Sequence, residues 1–372
     1  MHRRSRRSPS EQSLRGTVQT RIHSVSTAVP PHLMPQDVVA DTARDIFGQT
    51  FPEFDRLSRS FRTSGVETRH SVAPLHWFRE PRSWKERNAL YLDGARALFF
   101  DAAGAALERA GWQAEEVDTI VTVSSTGIAT PTLEAQVAGQ MGFRDDVMRV
   151  PVFGLGCAGG VSGLSVASEL ATARPGSKVL LVVIEACTVS FRPDRMGKAD
   201  LIAAILFGDG AAAACLSTDA AATGPDIRAG RPVQKTWPDT LDIMGWDVDD
   251  TGLGVIFHRS IPDFVNREFA AATDNALAAN ELDRSEIDRF ICHPGGARVV
   301  EAIEAALDIV PGSLAEERDV LRQHGNMSAP TVLFVLEAAL ANGLRGQTLT
   351  CALGPGFTAS FLPLSITDKA TS

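Results

Sequence analysis

The feature that most constrains the fold is a strand–turn–helix–strand unit in the middle of the chain. Val147 to Phe153 is an apolar, strand-like run that ends in the glycine-rich turn Gly154-Leu155-Gly156-Cys157-Ala158-Gly159-Gly160. An amphipathic helical pattern follows from about Val161 to Ala173, then a second buried strand from Lys178 to Ala186. Two largely apolar strands separated by a helix suit a sheet covered on both faces, so the unit predicts an α/β architecture. It also presents a cysteine at the start of a helix, where free N–H groups and the helix dipole favour thiolate over thiol. Against this stands the usual fate of a free cysteine, which is to be a small buried hydrophobe.

The flanking sequence repeats the pattern. Val18 to Val29 reads as a strand closed by Pro30-Pro31, and helical patterns cover Gln36 to Phe47 and Glu53 to Phe61. Asn88 to Ala110 is an alanine-rich helix ended by Gly111; Val117 to Ser125 is a strand and Pro131 to Met141 a helix. Leu201 to Phe207 leads through Gly208-Asp209-Gly210 into the small-residue run Ala211 to Leu216. A break near Ala220 to Pro225 divides the chain into a half at 17–222 and a half at 223–372, after a basic tail at 1–16. In the second half, Phe264 to Ala279 is a helix and Ile287 to Cys292 a buried strand. The turn His293-Pro294-Gly295-Gly296 then opens onto a helix from Arg298 to Leu307. A helix from Leu314 to Gln323 reaches His324-Gly325-Asn326-Met327-Ser328, and another runs from Ala329 to Leu340. Strands at Thr348 to Leu353 and Thr358 to Leu364 flank Gly354-Pro355-Gly356. Each half places polar residues on glycine-rich turns just after buried elements, which suggests a duplicated α/β unit with the site between the halves.

Charge and cysteine usage exclude several classes. The net charge is -9, and residues 1–16 hold five arginines (Arg3, Arg4, Arg6, Arg7, Arg15) against Glu11. The remainder is therefore -13, and an acidic body argues against nucleic acid as the main partner. The arginine-rich start lacks the apolar stretch of a secretory signal and reads as a disordered extension. No run approaches the roughly 18 apolar residues of a membrane span. Five widely spaced cysteines (157, 187, 215, 292, 351) without Cys-x-x-Cys suit free thiols in a reducing cytoplasm. They argue against thiolate zinc, and the histidines show no ligand spacing, so no metal is expected.

Three chemistries fit the cysteine turn. Gly154 to Gly159 formally matches G-x-G-x-x-G, but the motif lies mid-chain and a cysteine in the turn would crowd a pyrophosphate. The order cysteine, histidine, asparagine echoes cysteine proteases, whose local sequence around the nucleophile is absent. In the third reading Cys157, His293 and Asn326 converge. His293 takes the thiol proton and stays beside the thiolate as imidazolium, while His293 and Asn326 hold a thioester oxygen as charge builds on it. Two neutral donors without a carboxylate suit decarboxylation of a malonyl thioester, where an enolate must be stabilised and no general base is required. The glycines of the turn leave backbone space for the thioester. Arg56, Arg59 and Arg62 at three-residue spacing line one helical face that could receive a polyphosphate, although a solvated face serves as well.

These residues resemble a known family. Gly156-Cys157-Ala158-Gly159-Gly160, Phe207-Gly208-Asp209-Gly210-Ala211-Ala212-Ala213, His293-Pro294-Gly295-Gly296, Gly325-Asn326-Met327-Ser328 and Gly354-Pro355-Gly356, in this order, resemble the type III polyketide synthases. These form the chalcone synthase-like branch of the thiolase superfamily, and the resemblance runs from about residue 18 to residue 365. It implies a five-layered αβαβα homodimer, cytoplasmic, that condenses malonyl-CoA onto an acyl-CoA starter with no cofactor beyond the coenzyme A thioesters. Cys157 would carry the acyl chain, with His293 and Asn326 supporting decarboxylation and condensation. Phe207 and Phe257 match the gatekeepers, Ser328 the pocket, Gly354, Pro355 and Gly356 the cyclisation loop, and Arg56 and Arg59 the coenzyme A phosphate contacts.

Departures from the plant pattern bear on the product. Cys187 and Ser190 replace cavity threonines, and Thr130 replaces the methionine that crosses the dimer interface. The closing loop lacks the family's leading Gly-Phe, and Gly245-Trp246-Asp247-Val248 looks like bacterial alkylresorcinol and alkylpyrone synthases. A medium- or long-chain fatty acyl starter and a resorcinol or pyrone product are expected. A malonyl or aromatic starter (phloroglucinol, naphthalene or chalcone type) or a non-condensing thiolase-fold partner protein are the alternatives.

Overall fold

The computed structural model describes residues 18–48, 51, 53–193, 197–220 and 224–368. The basic tail at 1–16 and the boundary placed between 222 and 223 lie outside the described residues.

The helices are α1 (Gln36–Phe47), α2 (Phe54–Leu57), α3 (Ser60–Thr63), α4 (Trp84–Ala110), α5 (Leu133–Met141), α6 (Gly159–Ala173), α7 (Lys198–Leu206), α8 (Ile261–Ala278), α9 (Ala297–Leu307), α10 (Ala315–His324) and α11 (Thr331–Ala341). The strands are β1 (Arg21–Ala28), β2 (His32–Pro35), β3 (Thr68–Ser71), β4 (Thr119–Val123), β5 (Met148–Val152), β6 (Val179–Ala186), β7 (Asp209–Ser217), β8 (Asp226–Ala229), β9 (Val233–Thr236), β10 (Met244–Asp249), β11 (Gly252–Phe257), β12 (Arg289–Cys292), β13 (Gly346–Gly354) and β14 (Thr358–Thr367).

The main sheet runs β12-β13-β14-β8-β1-β7-β6-β4-β5, with β9 added on β14. Its halves meet through only two residue pairs, Arg21 with Arg228 and Ile22 with Ile227. β4 pairs in parallel with both β5 and β6, and every residue of β6 is buried, whereas β5, expected to be covered, is a largely exposed edge strand because nothing pairs with its far side within the chain. Helices α6 and α11 are sandwiched between the two halves of the sheet. Val161 and Leu164 pack with Val121, Val123 and Leu181 in the same core as Val332, Leu336, Leu362 and Leu364. Helix α4 covers the outer face of the first half through Leu98, Phe99 and Ala102 against Leu180, Val182 and Ile184. Helices α8 and α9 cover the second half through Phe269, Val300 and Ile303 against Phe290, Leu349 and Phe361. Helix, sheet, helix pair, sheet, helix is the αβαβα layering the resemblance implied.

Local chemistry explains the element ends. Ser83 and Glu86 form a reciprocal capping box that starts α4 one turn earlier than its alanine pattern suggests. Gly111 ends the helix in the left-handed conformation at φ 69°. The expected helix from Glu53 to Phe61 breaks into α2 and α3, so Arg56, Arg59 and Arg62 do not share one continuous face. The hairpin β10–β11 pairs Met244 with Phe257 and Asp249 with Gly252. Its alternation is masked by glycine and acidic residues, so no sequence pattern marked it as a strand pair.

Candidate active site

Three turns deliver the candidate residues to one place. Cys157 lies in a short 3-10 turn (Gly156–Ala158) between β5 and α6, His293 directly follows β12, and Asn326 follows α10. The backbone N–H of His293 donates to the carbonyl of Cys351 at 2.9 Å. Asn326 N–H donates to Leu206 O at 2.7 Å, and Gly208 N–H donates back to Asn326 O at 3.1 Å. This ties the asparagine turn to the Phe207 turn. Arg69, fully buried, locks the same junction by donating to the carbonyls of Ala204, Ile205 and Phe207. Cys157, His293 and Asn326 line a common cavity of about 20 Å³, with Phe257 and Met244 among its walls. A second cavity, about 40 Å³, joins Cys157 to Cys187, Phe207, Phe257, Ser328 and Pro355.

Inside these cavities the hydrogen bonding is sparse. The Cys157 thiol donates to Asn326 Oδ1 at 3.9 Å, and Ser328 N–H donates to the same oxygen at 2.8 Å. Asn326 Nδ2 donates to Gly295 O at 3.2 Å, which leaves its second hydrogen free to face the cavity. Among the described residues neither ring nitrogen of His293 has a hydrogen-bond partner. Burial raises the Cys157 thiol to about 11 and lowers the His293 imidazole to about 3. Burial thus disfavours a lone thiolate and a lone imidazolium alike, because the cavities have room for only a water or two, so each ionic form needs the other, or a bound substrate, beside it.

The glycines of the cysteine turn serve a different purpose from the one expected. A Cβ on Gly160 would stand 2.3 Å from the Ala329 carbonyl oxygen and 2.7 Å from Val332, so this glycine lets α6 touch α11. Gly156, at φ 44°, faces the Pro355 ring, where a Cβ would lie 2.7 Å away. The space beside Gly156, Gly159 and Gly160 is filled by protein, whereas nothing stands within 4 Å of a Cβ placed on Gly154, so only that end of the turn leaves open room.

Other expected residues divide clearly. Phe207, Phe257, Cys187, Ser328 and Pro355 surround Cys157, with Gly354 and Gly356 flanking Pro355. Ser190 sits one cavity further on, in a pocket of about 50 Å³ that shares Cys187 and Phe207 with the Cys157 side. Thr130 is exposed, joined to Pro131 by a cis peptide bond, and lies outside both Cys157 cavities. A position that reaches a pocket across an interface cannot do so within its own chain. Arg56 is exposed and paired with Glu53 at 2.7 Å, and Arg59 is exposed on the cap of α3; neither lines these cavities.

Sequence reasoning missed three buried polar groups behind the site. Glu185 accepts from Ser125 N–H at 2.9 Å and Thr126 Oγ1 at 2.8 Å, and burial raises its carboxyl to about 8. Asp209 accepts from Val72 N–H at 2.9 Å and from the Thr188 amide and hydroxyl at 2.7 and 2.6 Å, and burial raises it to about 6. Burial lowers Arg69 to about 9. The signal was present for the acids: Glu185 interrupts an apolar run and Asp209 sits between glycines. Nothing marked Arg69.

Comparison with known proteins bears on this constellation. The chain matches the N-terminal domain of the chalcone and stilbene synthases over residues 7–220 and their C-terminal domain over residues 230–365. It is 36% identical to the 1,3,6,8-tetrahydroxynaphthalene synthase of Streptomyces peucetius subsp. caesius, over 93% of both chains. It is 28% identical to the alpha-pyrone synthesis polyketide synthase-like Pks18 of Mycobacterium tuberculosis (strain ATCC 25618 / H37Rv), over 91% of this chain and 88% of the other. The solved structure of 1,3,6,8-tetrahydroxynaphthalene synthase from Streptomyces coelicolor A3(2), a bacterial type III polyketide synthase, superposes with a TM-score of 0.88 at 28% identity. That likeness covers 94% of this chain and all of the other. From domain matches across both halves, full-length relatives and a shared fold, the chain belongs to the chalcone and stilbene synthase family of type III polyketide synthases, which are acyl-transferring condensing enzymes.

Proposed function

We propose that this enzyme loads a medium- or long-chain fatty acyl group from coenzyme A onto Cys157, extends it with malonyl-CoA and cyclises the product to a resorcinol or pyrone. One observation carries the reading. Cys187 and Phe207 line both the cavity at Cys157 and a neighbouring pocket of about 50 Å³ walled by Met34, Val39, Ile46, Leu75 and Phe78, so an acyl chain that parts these two side chains would meet an apolar lining.

The reading implies the following order of events. As Cys157 sulfur bonds to the starter carbonyl, its proton passes to His293 and the coenzyme A thiolate leaves. Malonyl-CoA then loses carbon dioxide, and the two electrons of the broken carbon–carbon bond form an enolate. His293 N–H and the second Asn326 N–H are the donors proposed to hold its oxygen. The enolate carbon attacks the Cys157 thioester, and the cysteine sulfur departs as thiolate, ready to accept the extended chain. Coenzyme A thioesters are the only small molecules this scheme needs. Arg56 and Arg59 are proposed to meet the coenzyme A phosphates, Arg56 after leaving Glu53.

A malonyl starter is the second reading, favoured by the 36% identity to a tetrahydroxynaphthalene synthase. Purified enzyme offered malonyl-CoA and a ladder of acyl-CoA starters separates the two. Alkyl products prove the first, and exclusive use of malonyl or aromatic starters refutes it. A Cys157→Ala protein that still makes polyketide would falsify the nucleophile assignment.

We also propose that the enzyme is a cytoplasmic homodimer. Strand β5 is a sheet edge with unpaired backbone, and Phe153, Ile128 and Met148 stand exposed beside it. Among the described residues no helix is long and apolar enough to cross a membrane.

A further inference from the structure

Away from Cys157, helix α5 and strands β4 and β5 enclose an open cavity of about 300 Å³. Glu134, in the first turn of α5, lines it and is 0% exposed, yet neither carboxylate oxygen has a hydrogen-bond partner among the described residues. The Thr122 hydroxyl, on the same wall, is buried and equally unpartnered. A buried carboxyl group without a hydrogen-bond partner is rare in a finished protein and calls for a partner. Its rim is apolar, with Ile128 53% and Phe153 59% exposed.

The chain itself carries a matching cation. Arg149 on β5 is exposed and, among the described residues, makes one side-chain bond, to Thr132 Oγ1 at 3.3 Å on the α5 side. Backbone direction along β5 decides where a second Arg149 would fall. Met148 N–H donates to Asp118 O at 3.0 Å and Val152 O accepts from Ser124 N–H at 3.2 Å, so the even-numbered residues face β4. The Arg149 N–H and the Pro151 carbonyl therefore point out from the sheet edge. An antiparallel pairing of two β5 strands centred on Val150 sets Arg149 opposite Pro151 twice. Each contact then forms one N–H···O=C bond and asks nothing of proline, which has no N–H to give. Directly opposed residues share a face. The incoming arginine thus lies beside Pro151, whose ladder partner Thr122 is in the wall with Glu134.

We infer that Glu134 is completed by Arg149 of the partner subunit, giving two symmetric ion pairs that fix the register of a β5-to-β5 dimer. This rests on the homodimer reading above and names what specifies it. The occupant is a second copy because the unpaired edge, the apolar rim, the unmet acid and the unmet base all lie on one surface of one chain.

The test is charge exchange between tagged subunits. Glu134→Arg and Arg149→Glu, each alone, places like charges at both contacts and should weaken dimerisation at least tenfold by sedimentation. Mixed together they match at both contacts, so native mass spectrometry should find the heterodimer dominant over either homodimer. If the pair instead closes within one chain, both variants stay mismatched and no heterodimer preference appears, which overturns the inference. Should either reversal fail to fold, Glu134→Gln and Arg149→Gln are measured instead. Each is expected to weaken the dimer, and the double variant to be no weaker than the worse single. Unchanged dimerisation in both Gln variants also overturns the inference. A wild-type protein that sediments as a monomer refutes the homodimer reading itself, whereas a wild-type dimer indifferent to these changes refutes only the pair.

Discussion

His293 should make the folded state acid-sensitive by an amount that follows from its burial. The ring is buried, neither nitrogen has a partner among the described residues, and burial lowers its pKa from an ordinary 6.5 to about 3. Between these values the unfolded chain binds a proton that the folded chain refuses. The contribution to stability is therefore complete above 6.5 and falls away as the pH drops toward 3. At about pH 5 the unfolded ring is roughly 1.5 units below its pKa, which at about 1.4 kcal/mol per unit costs the folded state about 2 kcal/mol. Replacing His293 with glutamine removes the titration and keeps a polar side chain. Urea unfolding of both proteins at about pH 7.5 and about pH 5 reads the effect. The stability difference between variant and wild type should move by about 2 kcal/mol in the variant's favour on acidification. Burial also lowers His70 and His324, but both are common to the two proteins and cancel. Parallel pH dependences would refute the reasoning, since they would mean that His293 is protonated as easily in the fold as out of it.

Alkylation of Cys157 by iodoacetamide, followed by peptide mass mapping, should quicken about tenfold per pH unit from about pH 7 to about pH 10 without a plateau, because burial holds the thiol near 11. An inflection near neutrality would mean that the free enzyme already stores a thiolate. Gly160→Ala should destabilise the fold by about 1–3 kcal/mol in urea titrations, as its Cβ would meet the Ala329 carbonyl at 2.3 Å and backbone cannot step aside. An unperturbed midpoint would show that α6 and α11 are not in close contact. Ser190→Leu should shorten the longest acyl-CoA accepted while leaving short starters in use, because the leucine fills the pocket beyond Cys187. Product masses from the starter ladder check this, and an unchanged chain-length limit would locate the acyl chain elsewhere.

Much of this protein was written locally. The apolar run of β6 up to Glu185, the glycine-rich turn before α6 and the helix from Gln36 to Phe47 each carry their own signal in neighbouring residues. So do the three reactive side chains, because Cys157, His293 and Asn326 all sit on turns whose glycines and prolines punctuate buried elements. Strand β11 and its partner β10 had no such signal, since glycine and acidic residues hide their alternation and pairing with each other makes them strands.

What the tertiary structure alone decided is the state of those groups. A helix start favours a thiolate when considered by itself, but desolvation inside a cavity of a few tens of Å³ opposes it, raising the Cys157 thiol and lowering the His293 imidazole. Only the packed fold reveals that Gly160 exists to admit Ala329, and that Arg69 braces the Phe207 turn from a strand 138 residues away. Sequence determines periodicity and local chemistry because these depend on nearest neighbours along the chain. Solvation, charge state and pairing depend on neighbours in space.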